Sequence, residues 1–145
     1  MNLSKFAERL KEFIDESGLS ASDIGDKLGL GNSAISHYIS GRYLPSLQAA
    51  ITMSDFFNCS LDYLLGLSDY NSDKNFKSCP PFGERFVTVC KEKGVSRYKL
   101  KDLANVSETT MRYWVNGTTL PSITSLTLIA DKLKCTVDYL VGRES

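Results

Sequence analysis

The sequence predicts an all-α protein made of two tandem five-helix domains joined by a polar linker. The first observation is a repeat at an offset of 76 positions. Gly18–Leu19–Ser20 returns as Gly94–Val95–Ser96, and Asp62–Tyr63–Leu64 returns as Asp138–Tyr139–Leu140. The second is that apolar residues recur at helical spacing in both copies, without the alternation of a strand. A repeat of this length, with an apolar set in each copy, indicates two similar small domains.

We place the first domain at residues 1–67, the linker at 68–81 and the second domain at 82–145. Each domain has about 60 residues, close to the lower limit at which a domain folds unaided. The linker is polar and ends at Pro80–Pro81, a pair typical of a loop. If the linker is flexible, its roughly 15 residues span about 20–23 Å on average and about 50 Å when fully stretched.

The first two helices follow directly from spacing and capping residues. Residues 6–16 form an amphipathic helix that ends at Gly18. Its apolar face consists of Phe6, Leu10, Phe13 and Ile14. Ser20 is expected to cap the second helix, and Asp23 is its partner in a capping box. The second helix ends at the turn Gly29–Leu30–Gly31, where glycine permits positive φ.

Three more helices complete the first copy. The third begins near Asn32 and ends before Gly41. Leu44–Pro45–Ser46 then interrupts the chain, a fourth helix runs to about Phe57, and a short fifth covers residues 60–65. The second copy repeats these breaks in order, at Gly94, Ser96, Asn105–Val106–Ser107, Gly117, Pro121–Ser122 and Gly142.

Two short helices joined by a three-residue turn are typical of a helix-turn-helix. The residues that carry a more specific likeness are Ile24–Ser36 with Gly41 and Pro45, and Leu100–Arg112 with Gly117 and Pro121. In both copies they resemble the Cro/phage-repressor (Xre) family, although Asn105 replaces the turn glycine. The resemblance covers nearly the whole chain apart from the linker. It implies two lambda-repressor-like domains in a sequence-specific transcriptional regulator, a repressor, whose partner is double-stranded DNA.

Helical spacing gives the third helix of each copy an apolar and a polar face. The inward residues are Ile35, Tyr38 and Ile39 in the first copy, and Met111, Trp114 and Val115 in the second. In the family this helix enters the major groove, so the outward residues are candidates for base contact. They are Asn32, Ser33, Ser36 and His37 in the first copy, and Glu108, Thr109, Arg112 and Tyr113 in the second. Asparagine can pair with adenine, arginine with guanine, and glutamate with cytosine. The alternative interpretation is an ordinary solvated helix face.

Other basic residues lie near the positions at which the family contacts phosphates. They are Arg42, Arg97, Lys99 and Lys101, and they would set the register on DNA rather than read the sequence. Many relatives place a DNA-contacting glutamine where this chain has Ala21 and Arg97. Many also carry a buried ion pair between the first and third helices. The matching positions hold Ile14 with Ile39, and Cys90 with Val115, and we expect each apolar pair to be in contact.

The charge distribution and the composition limit the classes of function that we expect for this protein. The net charge is zero, but residues 1–68 carry −3 and residues 82–145 carry +3. This asymmetry favours the second copy as the DNA-binding one, or an attraction between the two halves. With one histidine, no CxxC spacing and no glycine-rich phosphate loop, we expect no metal, no cofactor and no enzymatic activity. Cys59 and Cys135 share one repeat position and are expected to be buried hydrophobes. The chain lacks the pattern of a signal peptide or a transmembrane segment, which predicts a cytoplasmic protein.

Two questions stay open at the level of sequence. One chain could bind two unlike half-sites as an intramolecular pseudo-dimer, or one copy could bind DNA while the other pairs chains as a homodimer. The competing functional class is a protein-interaction module, such as an antitoxin or an antirepressor-binding regulator. An exposed apolar stripe would favour it, and the candidates are Tyr70, Phe76 and Phe56–Phe57. No effector domain is evident, so no small-molecule ligand is predicted.

Overall fold

The computed structural model of the 145-residue chain describes residues 3–71 and 75–144, apart from the side chain of Asn32. Over these residues the chain is helical and contains no strand, which confirms the all-α prediction. It separates into two compact units, Met1–Lys74 and Asn75–Ser145. The domain and linker boundaries within these units stay a prediction.

Each unit contains the five predicted helices in order. In the first unit they are α1 Leu3–Ser17, α2 Ala21–Leu28, α3 Asn32–Ile39, α4 Leu47–Phe57 and α5 Leu61–Leu64. In the second they are α6 Phe82–Lys93, α7 Arg97–Ala104, α8 Glu108–Val115, α9 Ile123–Lys132 and α10 Val137–Val141. The helix ends lie close to the capping and turn residues identified in the sequence, although α1 begins before the expected Phe6.

Capping residues define both ends of α2. The Asp23 N–H donates to Ser20 Oγ at 3.0 Å, and the Ser20 N–H donates to Asp23 Oδ2 at 3.4 Å, which confirms the capping box. The helix ends at Gly29 with φ +69°. Asn105 takes the same role after α7 with φ +53°. Asparagine is one of the few residues with a side chain that tolerate this left-handed conformation, which explains how it replaces the glycine.

Aromatic packing distinguishes the two cores. In the first unit the buried Phe6 ring meets Tyr38 edge-on, with centroids 5.8 Å apart. In the second unit Phe82 stacks on Phe86 at 5.6 Å, and both rings meet Trp114 edge-on. α1 packs against α3 and α6 against α8, so the first helix of each unit supports the third.

The cysteines match their predicted environments in part. Cys59 is fully buried, whereas Cys135 is half-buried, so the prediction of burial is wrong for Cys135. Cys90 is also buried, and burial raises the pKa of its thiol, while Arg97 acts more weakly in the opposite direction. The Cys90 thiol therefore stays protonated near neutral pH and behaves as a small apolar group. The contacts expected between Ile14 and Ile39, and between Cys90 and Val115, stay predictions.

The predicted linker is attached to both units. The Ser68 carbonyl accepts a hydrogen bond from the buried Arg9, and the Lys77 N–H donates to the Arg143 carbonyl at 2.8 Å. The estimate of a 20–23 Å span assumed about 15 freely moving residues. Described residues near each end of the segment are bound to their own unit, so fewer than about 15 residues are free to move.

Ser54 on α4 provides a test of core packing. Its side chain is fully buried, and its Oγ has no hydrogen-bond partner among the described residues. The second unit has Ala130 at the matching position, also buried. Because an unsatisfied buried hydroxyl costs about 1–3 kcal/mol, Ser54→Ala should leave the free energy of unfolding unchanged or raise it by about 1 kcal/mol. Ala130→Ser should lower it by about 1–3 kcal/mol, and urea unfolding curves of the two variants would measure both changes. A loss of stability on Ser54→Ala would show that the hydroxyl is satisfied.

Candidate nucleic-acid interface

The turn between α2 and α3 is built on a close backbone approach. A Cβ added to Gly25 would lie 2.6 Å from the Gly31 carbonyl oxygen, so only glycine lets α2 come this near the turn. Gly31 itself has φ +79° and precedes the first residue of α3. In the second unit, the position that matches Gly25 is Lys101, whose Nζ lies 4.3 Å from the centre of the Tyr98 ring. The two turns therefore differ in packing although they share a register.

Burial divides α3 as its spacing predicts. Ile35 is fully buried and Tyr38 and Ile39 are half-buried. Burial also raises the pKa of the Tyr38 hydroxyl. Ser33 and Ser36 are exposed on the opposite face. The remaining candidates are the half-buried His37, whose ring meets Tyr43 edge-on at 5.4 Å, and Asn32, whose side chain lies outside the described part of the chain.

The same division holds for α8. Met111 and Trp114 are buried and Val115 is half-buried, so this face packs on the unit. All four outward candidates are exposed: Glu108, Thr109, Arg112 and Tyr113. The helix begins immediately after Ser107, whose Oγ accepts the Thr110 N–H at 3.1 Å. The N-terminal turn of α8 therefore presents a free polar surface on a fixed backbone.

Charged groups meet beside α8. Arg97, at the start of α7, lines an open groove of about 280 Å³ together with Glu108, Arg112 and Val115. A carboxylate and two guanidinium groups thus share one concave surface. This arrangement can accept a base edge or a phosphate on the arginines and reject a phosphate at the glutamate.

The two units differ in charge over the matching segments. Residues 21–43 carry Lys27 and Arg42 against two carboxylates, a net charge of zero. Residues 97–119 carry four cations against two carboxylates, a net charge of +2. Arg42, Arg97 and Lys99 are exposed and Lys101 is half-buried, so all but the last are fully accessible to a polyanion. The matching segment of the second unit is therefore the more positively charged of the two.

A helix-turn-helix family model matches two segments of the chain, residues 10–64 and 88–140. The two matches contain α2 with α3, and α7 with α8. The chain belongs to the Cro/C1-type helix-turn-helix family. Members of this family are DNA-binding transcriptional regulators, so the helix-turn-helix of each unit belongs to a DNA-binding family.

The chain is also similar to the HTH-type transcriptional regulator ImmR of Bacillus subtilis (strain 168). The two are 36% identical over 75 residues, which are 52% of this chain and 56% of the relative. The chain thus matches about half the length of that protein. No solved structure gives a significant match. Among the helices that the structure describes, none is long and apolar enough to cross a membrane.

The sequence did not lead us to predict one pair of equivalent contacts, which an arginine on the first helix of each unit makes with the fifth helix. Arg9 on α1 and Arg85 on α6 occupy the same repeat position. Arg85 donates to the Tyr139 carbonyl from Nε at 3.0 Å and from Nη2 at 2.8 Å, and Arg9 donates to the Tyr63 carbonyl. The guanidinium carbons lie 4.6 and 4.0 Å from the centres of the two tyrosine rings. Both the arginine and the tyrosine recur at the offset of 76 positions, and this recurrence could have indicated the contacts.

These contacts hold the fifth helix of each unit on the first helix. In the second unit the Tyr139 hydroxyl also donates to Glu92, and this hydrogen bond raises the pKa of Tyr139. The fifth helices have only four and five residues, too short to be stable alone. The arginine contacts therefore supply part of the tertiary stabilisation that these helices need.

Proposed function

We propose that this chain is a sequence-specific transcriptional repressor that acts by occupying its operator, with α3 and α8 reading the major groove. The observation that carries the proposal is the exposed face of α8 beside Arg97. This face carries a guanidinium, a carboxylate and a hydroxyl, from Arg112, Glu108 and Thr109. The opposite face of the helix is packed in the core. Occupancy of an operator is a form of regulation that DNA-binding domains can exert by themselves, which supports repression.

In the second unit each candidate has a chemical role. Arg112 would pair with guanine through two hydrogen bonds, and Glu108 would accept from cytosine. Thr109 and Tyr113 would contact a base or a phosphate, and the phosphate contacts of this unit would come from Arg97, Lys99 and Lys101.

In the first unit the reading set is different. Asn32 is suited to adenine, and Ser33, Ser36 and His37 to bases or phosphates, with Arg42 on the backbone. Because the two sets differ, one chain would recognise two unlike half-sites as a pseudo-dimer in the cytoplasm. Binding in this way needs no cofactor or small-molecule ligand.

A second candidate function is that the first unit docks a protein. Phe56 is 40% exposed and Tyr70 is 70% exposed. Phe57 stacks on Phe13 with centroids 5.1 Å apart. The positions of Phe56 and Phe57 hold Lys132 and Leu133 in the second unit, so this aromatic surface is particular to the first. Phe76, also expected in the stripe, is half-buried over the Arg143 guanidinium and does not belong to it.

Salt dependence tests the DNA-binding role of the flanking cations. For the intact protein on a pool of random duplexes, the logarithm of affinity should fall linearly with the logarithm of salt concentration. Arg97→Ala should make this slope shallower by about one phosphate contact, because one counterion fewer is released. The control is Lys93→Ala on α6, which removes the same charge from the same unit beside Tyr139. Equal slopes for the protein and both variants would contradict the assignment of Arg97, and no binding at low salt would contradict the repressor.

A further inference from the structure

We infer that an open groove on the second unit binds a small aromatic carboxylate, and that this ligand competes with DNA for Arg97. The groove has a volume of about 620 Å³ and is lined by residues of α6, the turn that follows it, the start of α7 and the first residue of α8. We name it the α6–α7 groove. The site itself does not depend on the proposed function, whereas the competition rests on it.

Much of the lining of the α6–α7 groove is apolar. Val87, Cys90 and Val95 contribute to it, and Cys90 is only 6% exposed. Tyr98 adds an aromatic ring to the same lining, and this residue is 65% exposed. The Lys101 Nζ lies 4.3 Å from the centre of that ring, which restrains the ring on α7. An apolar ligand group can therefore pack on aliphatic side chains and against an aromatic ring.

Two cations stand beside the apolar lining. Lys91 on α6 and Arg97 on α7 both line the groove and are exposed. Neither forms an ion pair with a carboxylate of the residues that the structure describes. Burial raises the pKa of the Cys90 thiol and Arg97 acts in the opposite direction, so the charge of Arg97 reaches the buried part of the lining. Glu108 adds one carboxylate, and the remaining excess of positive charge suits a ligand with a single negative charge.

Size and chemistry together indicate the class of ligand. Sites for small molecules have volumes of about 300–1,000 Å³ and combine a mostly apolar lining with a few polar groups. A guanidinium matches the two oxygens of a carboxylate, and a ring attached to that carboxylate would cover the apolar lining. An inorganic anion would leave the apolar lining uncovered. A neutral hydrocarbon would take water from the two cations without compensation.

The repeat shows that the cations and the ring are not needed for the fold. In the first unit, the positions that match Lys91, Arg97 and Tyr98 hold Asp15, Ala21 and Ser22. All three of these residues lie in the described part of the chain, and the first unit still forms the same five helices. The cations and the ring of the second unit are therefore available to bind a ligand.

Arg97 links the α6–α7 groove to the groove beside α8. Both grooves are lined by Arg97 and Glu108, and the second also by Arg112. Arg97 is a proposed phosphate contact, so a carboxylate bound to its guanidinium would neutralise a charge that DNA binding uses. The ligand should therefore weaken DNA binding by about the contribution of one phosphate contact.

The first part of the test measures binding of cinnamate, an aromatic carboxylate, to the intact protein without DNA. Cinnamate should shift the backbone amide NMR signals of Val95, Ser96 and Arg97 until they saturate, with a Kd of about 1–5 mM. Cinnamyl alcohol, which has the same ring but no charge, should bind about 3-fold or more weakly.

Two matched variants test the role of the groove cation that the DNA interface does not use. Lys91→Asp copies the first unit and should weaken cinnamate binding by about 5-fold or more, since it replaces an attraction by a repulsion. Lys93→Asp makes the same change of charge on α6, beside Tyr139 and outside the groove lining. It should leave the affinity for cinnamate within about 2-fold.

The second part of the test measures DNA binding on the pool of random duplexes at matched ionic strength. Saturating cinnamate should lower the affinity and make the salt dependence shallower by about one phosphate contact. Cinnamyl alcohol should change neither quantity. Arg97→Ala already lacks the shared group, so cinnamate should have no further effect on the DNA affinity of this variant.

Different results would overturn the two parts of the inference. If cinnamate does not shift these amides in a saturable way, the α6–α7 groove is not a ligand site. Equal affinities for cinnamate and cinnamyl alcohol, or equal effects of Lys91→Asp and Lys93→Asp, would show that the cations do not select a carboxylate. If cinnamate binds in the groove and the DNA affinity stays the same, the competition fails. A protein that binds no DNA even without cinnamate would contradict the proposed function, and the competition with it, while the NMR titration still decides the site.

Discussion

Phe82→Ala is expected to unfold the second unit and leave the first folded, and Phe6→Ala is expected to do the reverse. The two phenylalanines occupy the same repeat position on α6 and α1. Phe82 stacks on Phe86 and meets Trp114 edge-on, and Phe6 is fully buried against Tyr38. Removing a buried phenyl ring costs about 3–5 kcal/mol. Units of this size have total stabilities of roughly 3–10 kcal/mol, so either change removes much of the margin of its own unit.

Hydrogen exchange read peptide by peptide would measure the outcome in each unit separately. Phe56→Ala is the control, because Phe56 is 40% exposed and should change stability far less than the buried rings. Protection should disappear from α6–α10 in Phe82→Ala and from α1–α5 in Phe6→Ala. Loss of protection in both units from either change would show that the chain folds as one cooperative body, against the predicted division at the linker.

Arg112→Ala should weaken binding to the preferred operator by roughly 5- to 150-fold. This range follows from the 1–3 kcal/mol that a bidentate contact to guanine contributes. The loss should be confined to sequences with the guanine, so discrimination at one base position should disappear. Arg112 is exposed on the outward face of α8, so the unit should stay folded.

Two variants separate a base contact from a general effect of charge. Arg112→Lys keeps the positive charge but loses the planar pair of hydrogen-bond donors. Compared with Arg112→Ala, it should restore affinity equally for all sequences without restoring the preference for guanine. Lys93→Ala removes a charge beside Tyr139 and should preserve that preference. A uniform loss of affinity on all sequences from Arg112→Ala would assign Arg112 to a phosphate instead.

Local chemistry made most of the fold predictable. The Ser20–Asp23 capping box depends on residues three positions apart, and the turn at Gly29 depends on one backbone conformation. The inward positions of Ile35 and Met111 follow from helical periodicity. Each of these features is encoded by residues within about one turn of helix.

The contacts that attach the predicted linker to each unit were not predictable in the same way. Ser68 meets Arg9 at a separation of 59 residues, and Phe76 meets Arg143 although the second unit's five helices lie between them in sequence. A polar stretch with two prolines is typical of a flexible linker. Its own residues do not indicate the distant residues that contact it, such as Arg9 and Arg143. The same limit explains Cys135, whose burial depends on neighbours supplied by tertiary packing rather than on its repeat position.

Selection of binding sites from random duplexes with the intact protein tests the central claim most directly. Two unlike half-sites about one helical turn apart, roughly 34 Å, should be enriched together. Their recovery should fall steeply as salt is raised. A strict palindrome or a single half-site would contradict the single-chain pseudo-dimer, because only one unit would then be reading DNA.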